Sequence, residues 1–206
     1  MSALPRSRRA TYADLEAVPP HLVAEIVEGS LITHPRPAPK HAVASSALGI
    51  TIGSPFDRGR DGPGGWIILD EPELHLGDDV VVPDLAGWRR ERMPVLPDTA
   101  YFETAPDWIC EVVSPSTEAY DRGVKRAVYA KAGVVHFWIL DPRAEILETF
   151  SLRDGGWFLT GTFSGTDHVS VAPFDAISFP LAELWPFSQP TGPVEASASA
   201  DTTTDT

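Results

Sequence analysis

The sequence predicts an α/β fold: a mixed β-sheet flanked by helices, with a run of antiparallel strands toward the C-terminus. Three observations carry this. Pro106 to Pro142 reads as strand, helix, strand; Ala24 to His34 reads as a hairpin; and residues 146–179 alternate apolar and polar in short segments separated by turn residues.

In the first of these, Trp108, Cys110 and Val112 share one face of an extended segment and Ile109, Glu111 and Val113 the other. Both faces are apolar apart from Glu111, so the strand is expected to be buried on both sides. An ionised glutamate there requires a cation, a hydrogen-bond network or a metal to compensate its desolvation. Ser114-Pro115-Ser116-Thr117 breaks the strand and offers helix N-caps. Glu118 to Ala132 then forms the helix, closed by Gly133. Val124, Val128 and Ala132 make its apolar stripe, and Lys125 lies about 60° from Val128, leaning toward the covered strand. Val134 to Leu140 follows with no room for a hairpin return, which predicts a right-handed parallel crossover in which Glu111 and Lys125 meet.

The remaining elements follow in chain order. Residues 1–10 carry Arg6, Arg8 and Arg9 without an acid and read as a flexible basic start. Thr11 with Asp14 predicts a capped helix ending before Pro19-Pro20. The hairpin of residues 24–34 turns at Glu28-Gly29-Ser30 and contains a second embedded acid, Glu25, for which an exposed edge-strand position and a functional one are both open. Lys40 to Ile52 is small and apolar at helical spacing; Ser54 to Gly65 is loop. Trp66 to Asp70 is a strand that residues 71–76 extend or bend. Val80 to Trp88 follows, with Asp84 continuing the row of Val80 and Val82 just past Pro83, as at a strand end. Arg89 to Ala105 is an irregular connection, read as a mobile flap. Beyond Pro142, strands at 146–152 and 157–163 meet at Asp154-Gly155-Gly156, and residues 169–171 and 177–179 are strands before a helical turn at Leu181 to Trp185.

The chain of 206 residues is 43% hydrophobic, enough for one core. No apolar run spans a bilayer and the start lacks a signal-peptide core, so a cytoplasmic protein without membrane partners is expected. The single cysteine, Cys110, excludes internal disulfides and a cysteine-rich metal site. A net charge of −13 opposes nonspecific attraction to polyanions, although seven of the sixteen basic residues fall in Arg89 to Arg92 and Arg122 to Lys131. Three acids and no base mark an acidic, disordered tail. The expected organisation is a basic segment at 1–10, one domain at 11–187 and a tail at 188–206.

Two strand-borne carboxylates, Asp84 and Glu111, with Lys125 and no histidine or cysteine cluster, favour a hard divalent cation such as Mg²⁺ over zinc. Such a site performs phosphoryl-ester hydrolysis, with the lysine orienting water and offsetting charge. A serine hydrolase is disfavoured because Ser114 precedes a proline outside any Gly-x-Ser-x-Gly context. The histidines show no ligand spacing, His41 is expected at the surface, and the six tryptophans are expected to pack the core and its rim.

Pro83-Asp84, Glu111 to Thr117, Asp121, Lys125, Tyr129, Gly133 and Trp138 to Pro142 together resemble the Uma-two family of bacterial restriction-endonuclease-like proteins, within the PD-(D/E)xK nuclease superfamily. The similarity runs from about Tyr12 to Leu184. It implies a restriction-endonuclease-like core and Mg²⁺-dependent DNA cleavage, with Mn²⁺ as a substitute ion. It also implies catalytic roles for Asp84, Glu111, Lys125 and Glu25, and metal ligation by Asp84, Glu111 and the Val112 carbonyl. The superfamily lysine position two residues after Glu111 holds Val113, so the resemblance moves that role to Lys125. By analogy a homodimer is expected, and the rival reading is a catalytically silent binding module.

Overall fold

A computed structural model describes residues 8–187; the first part of the expected basic segment and the acidic tail lie outside them. In chain order, α1 (Tyr12–Glu16) leads to the hairpin β1 (Leu22–Val27) and β2 (Ser30–Pro35), and then to α2 (Pro39–Ile52). Strands β3 (Trp66–Asp70), β4 (Leu74–Leu76), β5 (Asp79–Val81) and β6 (Leu85–Arg89) follow. The crossover unit comprises β7 (Trp108–Val112), α3 (Glu118–Tyr120), a π-helical turn (Asp121–Lys125), α4 (Arg126–Ala132) and β8 (His136–Asp141). The chain closes with β9 (Ile146–Arg153), β10 (Gly156–Ser164), β11 (His168–Val169), β12 (Phe179–Pro180) and a 3₁₀ turn at Leu181–Leu184.

These strands sort into a six-stranded sheet of order β10-β9-β8-β7-β6-β3, a four-stranded sheet of order β2-β1-β5-β4, and the small pair β11-β12. β7 and β8 are parallel and every other strand pairing is antiparallel, so the larger sheet is mixed as expected. The valine-rich run at 80–88 is not one strand. Pro83 cannot donate to a ladder, and the chain leaves the smaller sheet at Val81 and joins the larger one at Leu85. Likewise β3 is not extended by residues 71–76: Glu71 turns the chain at φ 45°, and β4 belongs to the other sheet.

The two-faced reading of β7 holds. Trp108, Cys110 and Val112 enter a core with α2 and the C-terminal segment, built around Phe174, whose ring meets those of Phe56, Trp66, Trp108 and Trp138. Ile109 and Val113 enter a second core with Val128, Tyr129 and Phe137 on the crossover side. Burial pushes the Cys110 thiol pKa well up, consistent with an inert packing residue.

Several local expectations are revised. The buried face of the crossover helix omits Val124, which is 39% exposed, and is made by Asp121 and Lys125 on the π turn with Val128 and Tyr129 on α4. The start of the expected loop at Ser54 is instead part of another π-helical turn, Gly53–Asp57. The connection after β6 is pinned rather than loose. Trp88 Nε1 donates to the Thr104 carbonyl at 2.8 Å, Phe102 and residues 73–75 exchange backbone bonds, and Asp107 accepts from the Arg89 amide and the Arg92 guanidinium at 2.9 and 2.7 Å. The basic start is also tied down where described: Arg8 pairs with Asp14, Arg9 with Asp78, and the Ala10 amide donates to Gly29. The Asp154-Gly155 turn between β9 and β10 adopts left-handed backbone at both positions, as a tight hairpin of this twist requires.

His136 on β8 is half-buried, and burial, with the nearby Arg89 charge, lowers its pKa below the ordinary imidazole value. The unfolded chain therefore takes up this proton at higher pH than the folded one. Stability from this site is complete above about pH 6.5 and declines as pH falls toward the folded pKa. His136→Gln is expected to flatten part of the loss of Tm between pH 7.5 and 5 seen by differential scanning calorimetry; an unchanged slope would remove His136 from that loss.

Candidate active site

Where the two sheets part, backbone groups lose their ladder partners and side chains take over. Glu25 lies on β1, an interior strand, and is 1% exposed, so the edge-strand reading fails. Its carboxylate accepts the Val82 amide at 2.7 Å. Lys125 Nζ donates to the Val82 carbonyl at 3.1 Å. Asp84, just before β6, accepts the Val112 amide at the end of β7 at 2.7 Å.

The predicted meeting of Glu111 and Lys125 occurs at 2.8 Å, and Lys125 also reaches Glu25 at 3.0 Å and Asp121 at 4.0 Å. Lys125 is 3% exposed and Glu111 2%. Tyr129, one helical turn beyond Lys125, donates its hydroxyl to Glu111. Glu25, Asp84, Glu111, Val112, Asp121 and Lys125 all line one cavity of about 200 Å³. The structure thus brings all the sequence-predicted site residues together.

Three residues with no role assigned from sequence join them. Asp121 comes inward on the π turn, and Tyr129 follows Lys125 on the same face. His41, expected at the surface, is buried, with Nε2 3.2 Å from Asp84 Oδ1. Its burial was legible: His41 falls on the α2 face of Ala44, Leu48 and Ile52, all fully buried. His34 Nε2 stands 3.8 Å from Glu25, beyond hydrogen-bond reach, and burial lowers its pKa.

The electrostatics are those of a site short of positive charge. Burial opposes the Lys125 ammonium, but Glu111, Glu25, Tyr129 and Asp121 outweigh it and hold the amine protonated well above the ordinary range. The Glu111 pKa is pushed well up, chiefly by burial. Lys125 opposes that rise, and Asp121, Asp84 and Glu25 add to it. Asp121 is raised to about 6, again by burial first, with Lys125 opposing. For His41, burial lowers the pKa, and Asp84, followed by the Val112 backbone and Asp121, more than restores it, leaving a net rise.

Among the described residues no group of three or more His, Cys, Asp and Glu forms a ready-made metal cage. The donor set nevertheless fits a hard cation. Asp84, Glu111 and the Val112 carbonyl offer oxygen only, the acids outnumber the cations around the cavity, and Mg²⁺ characteristically takes one or two carboxylates and keeps its waters.

The protein is thus of the α/β class, a mixed sheet with a parallel crossover and an acid-lysine cavity where it parts from the smaller sheet. The chain belongs to the family described as "Uma2: Putative restriction endonuclease", whose model matches residues 9–182. Among solved structures, one described as "a putative nuclease belonging to DUF820" from Anabaena variabilis ATCC 29413 shares the fold. Its TM-score is 0.70 and its identity 22%, over 86% of this chain and 98% of that one. No curated protein matches the sequence. No helix among the described residues is long and apolar enough to cross a membrane.

Removing one member of a buried ion cluster leaves its partners uncompensated, at a cost of about 3–5 kcal/mol. Lys125→Met is expected to lower the urea unfolding free energy by about that much. Tyr129→Phe, which removes one hydrogen bond to a buried carboxylate, should cost about 1–3 kcal/mol. A loss under about 1 kcal/mol for Lys125→Met would show that the lysine is not the counter-charge of the cluster.

Proposed function

We propose that this protein is a Mg²⁺-dependent endonuclease that hydrolyses DNA phosphodiester bonds, with Mn²⁺ able to replace Mg²⁺. The observation that carries this reading is the convergence of Lys125, Glu25, Glu111 and Asp84 on one cavity at the parting of the two sheets. Membership of a family described as restriction endonucleases supports it.

Asp84, Glu111 and the Val112 carbonyl would hold the ion. Bound there, the cation supplies charge neutralisation at the phosphoryl oxygens and a water of lowered pKa. The chain's own residues supply the rest. Lys125, its three N–H donors held by the Val82 carbonyl, Glu25 and Glu111, presents a fixed positive charge that offsets the charge building on the phosphorane. Glu25 fixes the amine in place through the 3.0 Å pair and is itself fixed by the Val82 amide. Tyr129 orients Glu111, and the Val112 amide and His41 orient Asp84, so both ligand carboxylates are held in one rotamer before substrate arrives. Cutting two strands would be served by a homodimer.

The test uses plasmid and single-stranded DNA with Mg²⁺ or Mn²⁺. The parent should nick or cut, and Asp84→Asn and Glu111→Gln, which conserve volume, should each lose about 100-fold or more. Millimolar Mn²⁺ should raise the parent Tm, by about 2.7 kcal/mol of stability at one hundred times Kd, and leave Asp84→Asn unmoved. Equal inactivity of all three proteins with no thermal response to the ion would favour the catalytically silent binding module.

A further inference from the structure

β10 is the longest strand, nine residues, and stands at the edge of the six-stranded sheet; among the described residues it pairs with β9 alone. From Gly156 to Ser164 it holds no charged residue and no proline, the usual guards of a free edge. Phe158 and Leu159 are 51% and 57% exposed, one on each face of the sheet. The outward amides and carbonyls of β10 are thus an open ladder flanked by apolar side chains, an arrangement that pairs with another chain. The other edges of the two larger sheets are shorter: β3 has five residues, β4 three, and β2 six, the last of them Pro35.

A bulge between Leu159 and Gly161 decides which residues of β10 share a face. Phe158, opposite Ser151, and Phe163, opposite Leu147, lie on the side of the Phe174 core. Leu159, opposite Phe150, and Thr162, opposite Glu148, lie on the side of the crossover helix. An antiparallel copy of the same strand, related by a twofold axis between Thr160 and Gly161, therefore matches face to face. Phe158 of each protomer comes opposite Phe163 of the other, and Leu159 opposite Thr162. Charge follows the same symmetry. At the Gly156 end, Arg126 and Lys131 line a shallow pocket with Gly155 and Gly156, and Arg153 pairs with Gly156; Asp154 is the one acid of the turn. At the Ser164 end, Glu145 precedes the Ile146–Ser164 pair and Asp167 accepts the Ser164 amide at 2.7 Å, while Arg143 is already paired with Glu118. Antiparallel pairing sets the basic end of each strand against the acidic end of the other; parallel pairing would set like ends together.

We propose that the protein self-associates through β10, two copies pairing these strands antiparallel about the twofold axis and joining their six-stranded sheets into one. A net charge of −13 opposes close approach of two copies elsewhere, and β10 is the long uncharged edge at which they can meet. The Phe158–Phe163 pair forms twice, and cross-strand aromatic pairs of this kind stabilise sheets. No residue of β9 or β10 lines the acid cavity, so the pairing leaves it open and is independent of the endonuclease reading.

The test is the mass in solution, by size-exclusion chromatography with light scattering over a micromolar concentration series, of the parent and two double variants at exposed positions. Leu159→Lys with Thr162→Lys sets like charges opposite each other across the twofold axis and should raise the dimer dissociation constant about tenfold or more. Leu159→Glu with Thr162→Lys sets opposite charges there and should restore the dimer. Both place a lysine beside Glu148 within the protomer, and both should keep the parent's far-ultraviolet circular dichroism, so that a change in mass is not a loss of fold. Amide hydrogen exchange along β10 should slow with concentration in the parent and not in the lysine pair. A parent that stays monomeric throughout the series, a dimer that survives the lysine pair, or a glutamate–lysine variant that stays monomeric would overturn the proposal. A dimer that behaves as expected in a protein that does not cut DNA would leave the pairing standing and the endonuclease reading lost.

Discussion

The structure is organised around one buried ammonium. Lys125 Nζ contacts Glu25 on the smaller sheet, Glu111 on the larger one and the Val82 carbonyl on the segment that passes between them. Burying each ion costs several kcal/mol after relaxation, so the cluster holds only if its members satisfy one another closely. Three chain segments far apart in sequence are therefore brought to one point within hydrogen-bonding tolerance. The crossover helix must deliver Lys125 to that point, and does so on the face that Lys125 shares with Asp121, Val128 and Tyr129.

The same cluster is over-supplied with acid. Glu25, Glu111, Asp84 and Asp121 face Lys125 and His41, and burial raises Glu111 and Asp121 toward protonation. A fold selected only for stability would replace such a group with apolar side chains of similar volume. Retaining four carboxylates around a small cavity is unfavourable for the isolated chain, and a hard cation of the kind proposed above would relieve their repulsion. Tension of this kind between local stability and site chemistry characterises functional sites.

Much of this is legible in the sequence. The two faces of β7 are written in alternating residues, and Glu111 stands out because it alone violates them. Helical geometry places Lys125 inward, for a partly wrong reason: the expected stripe runs through Val124, and a π turn has no signature in residue spacing. Pro83 announces a break without saying that the strands on either side join different sheets, since that depends on long-range pairing. Glu25 resembles an edge residue because a hairpin pattern does not reveal what pairs with its other side. His41 is recoverable from the periodicity of Ala44, Leu48 and Ile52, although the loop before it suggests a surface position.

The location of the site follows from backbone hydrogen bonding. In a continuous sheet the Val82 amide and carbonyl and the Val112 amide would bond to neighbouring strands. At the parting of the sheets they cannot, and an unsatisfied buried peptide group is costly. Glu25, Lys125 and Asp84 fill those three vacancies. Three of the polar side chains that the proposed chemistry needs thus satisfy backbone groups, and Glu111 is held by Lys125 and Tyr129, which keeps the cavity preorganised without a ligand. It also means that stability and chemistry cannot be altered independently here. A substitution that spares the backbone bond, as an amide for a carboxylate can, separates the two effects far better than truncation to alanine.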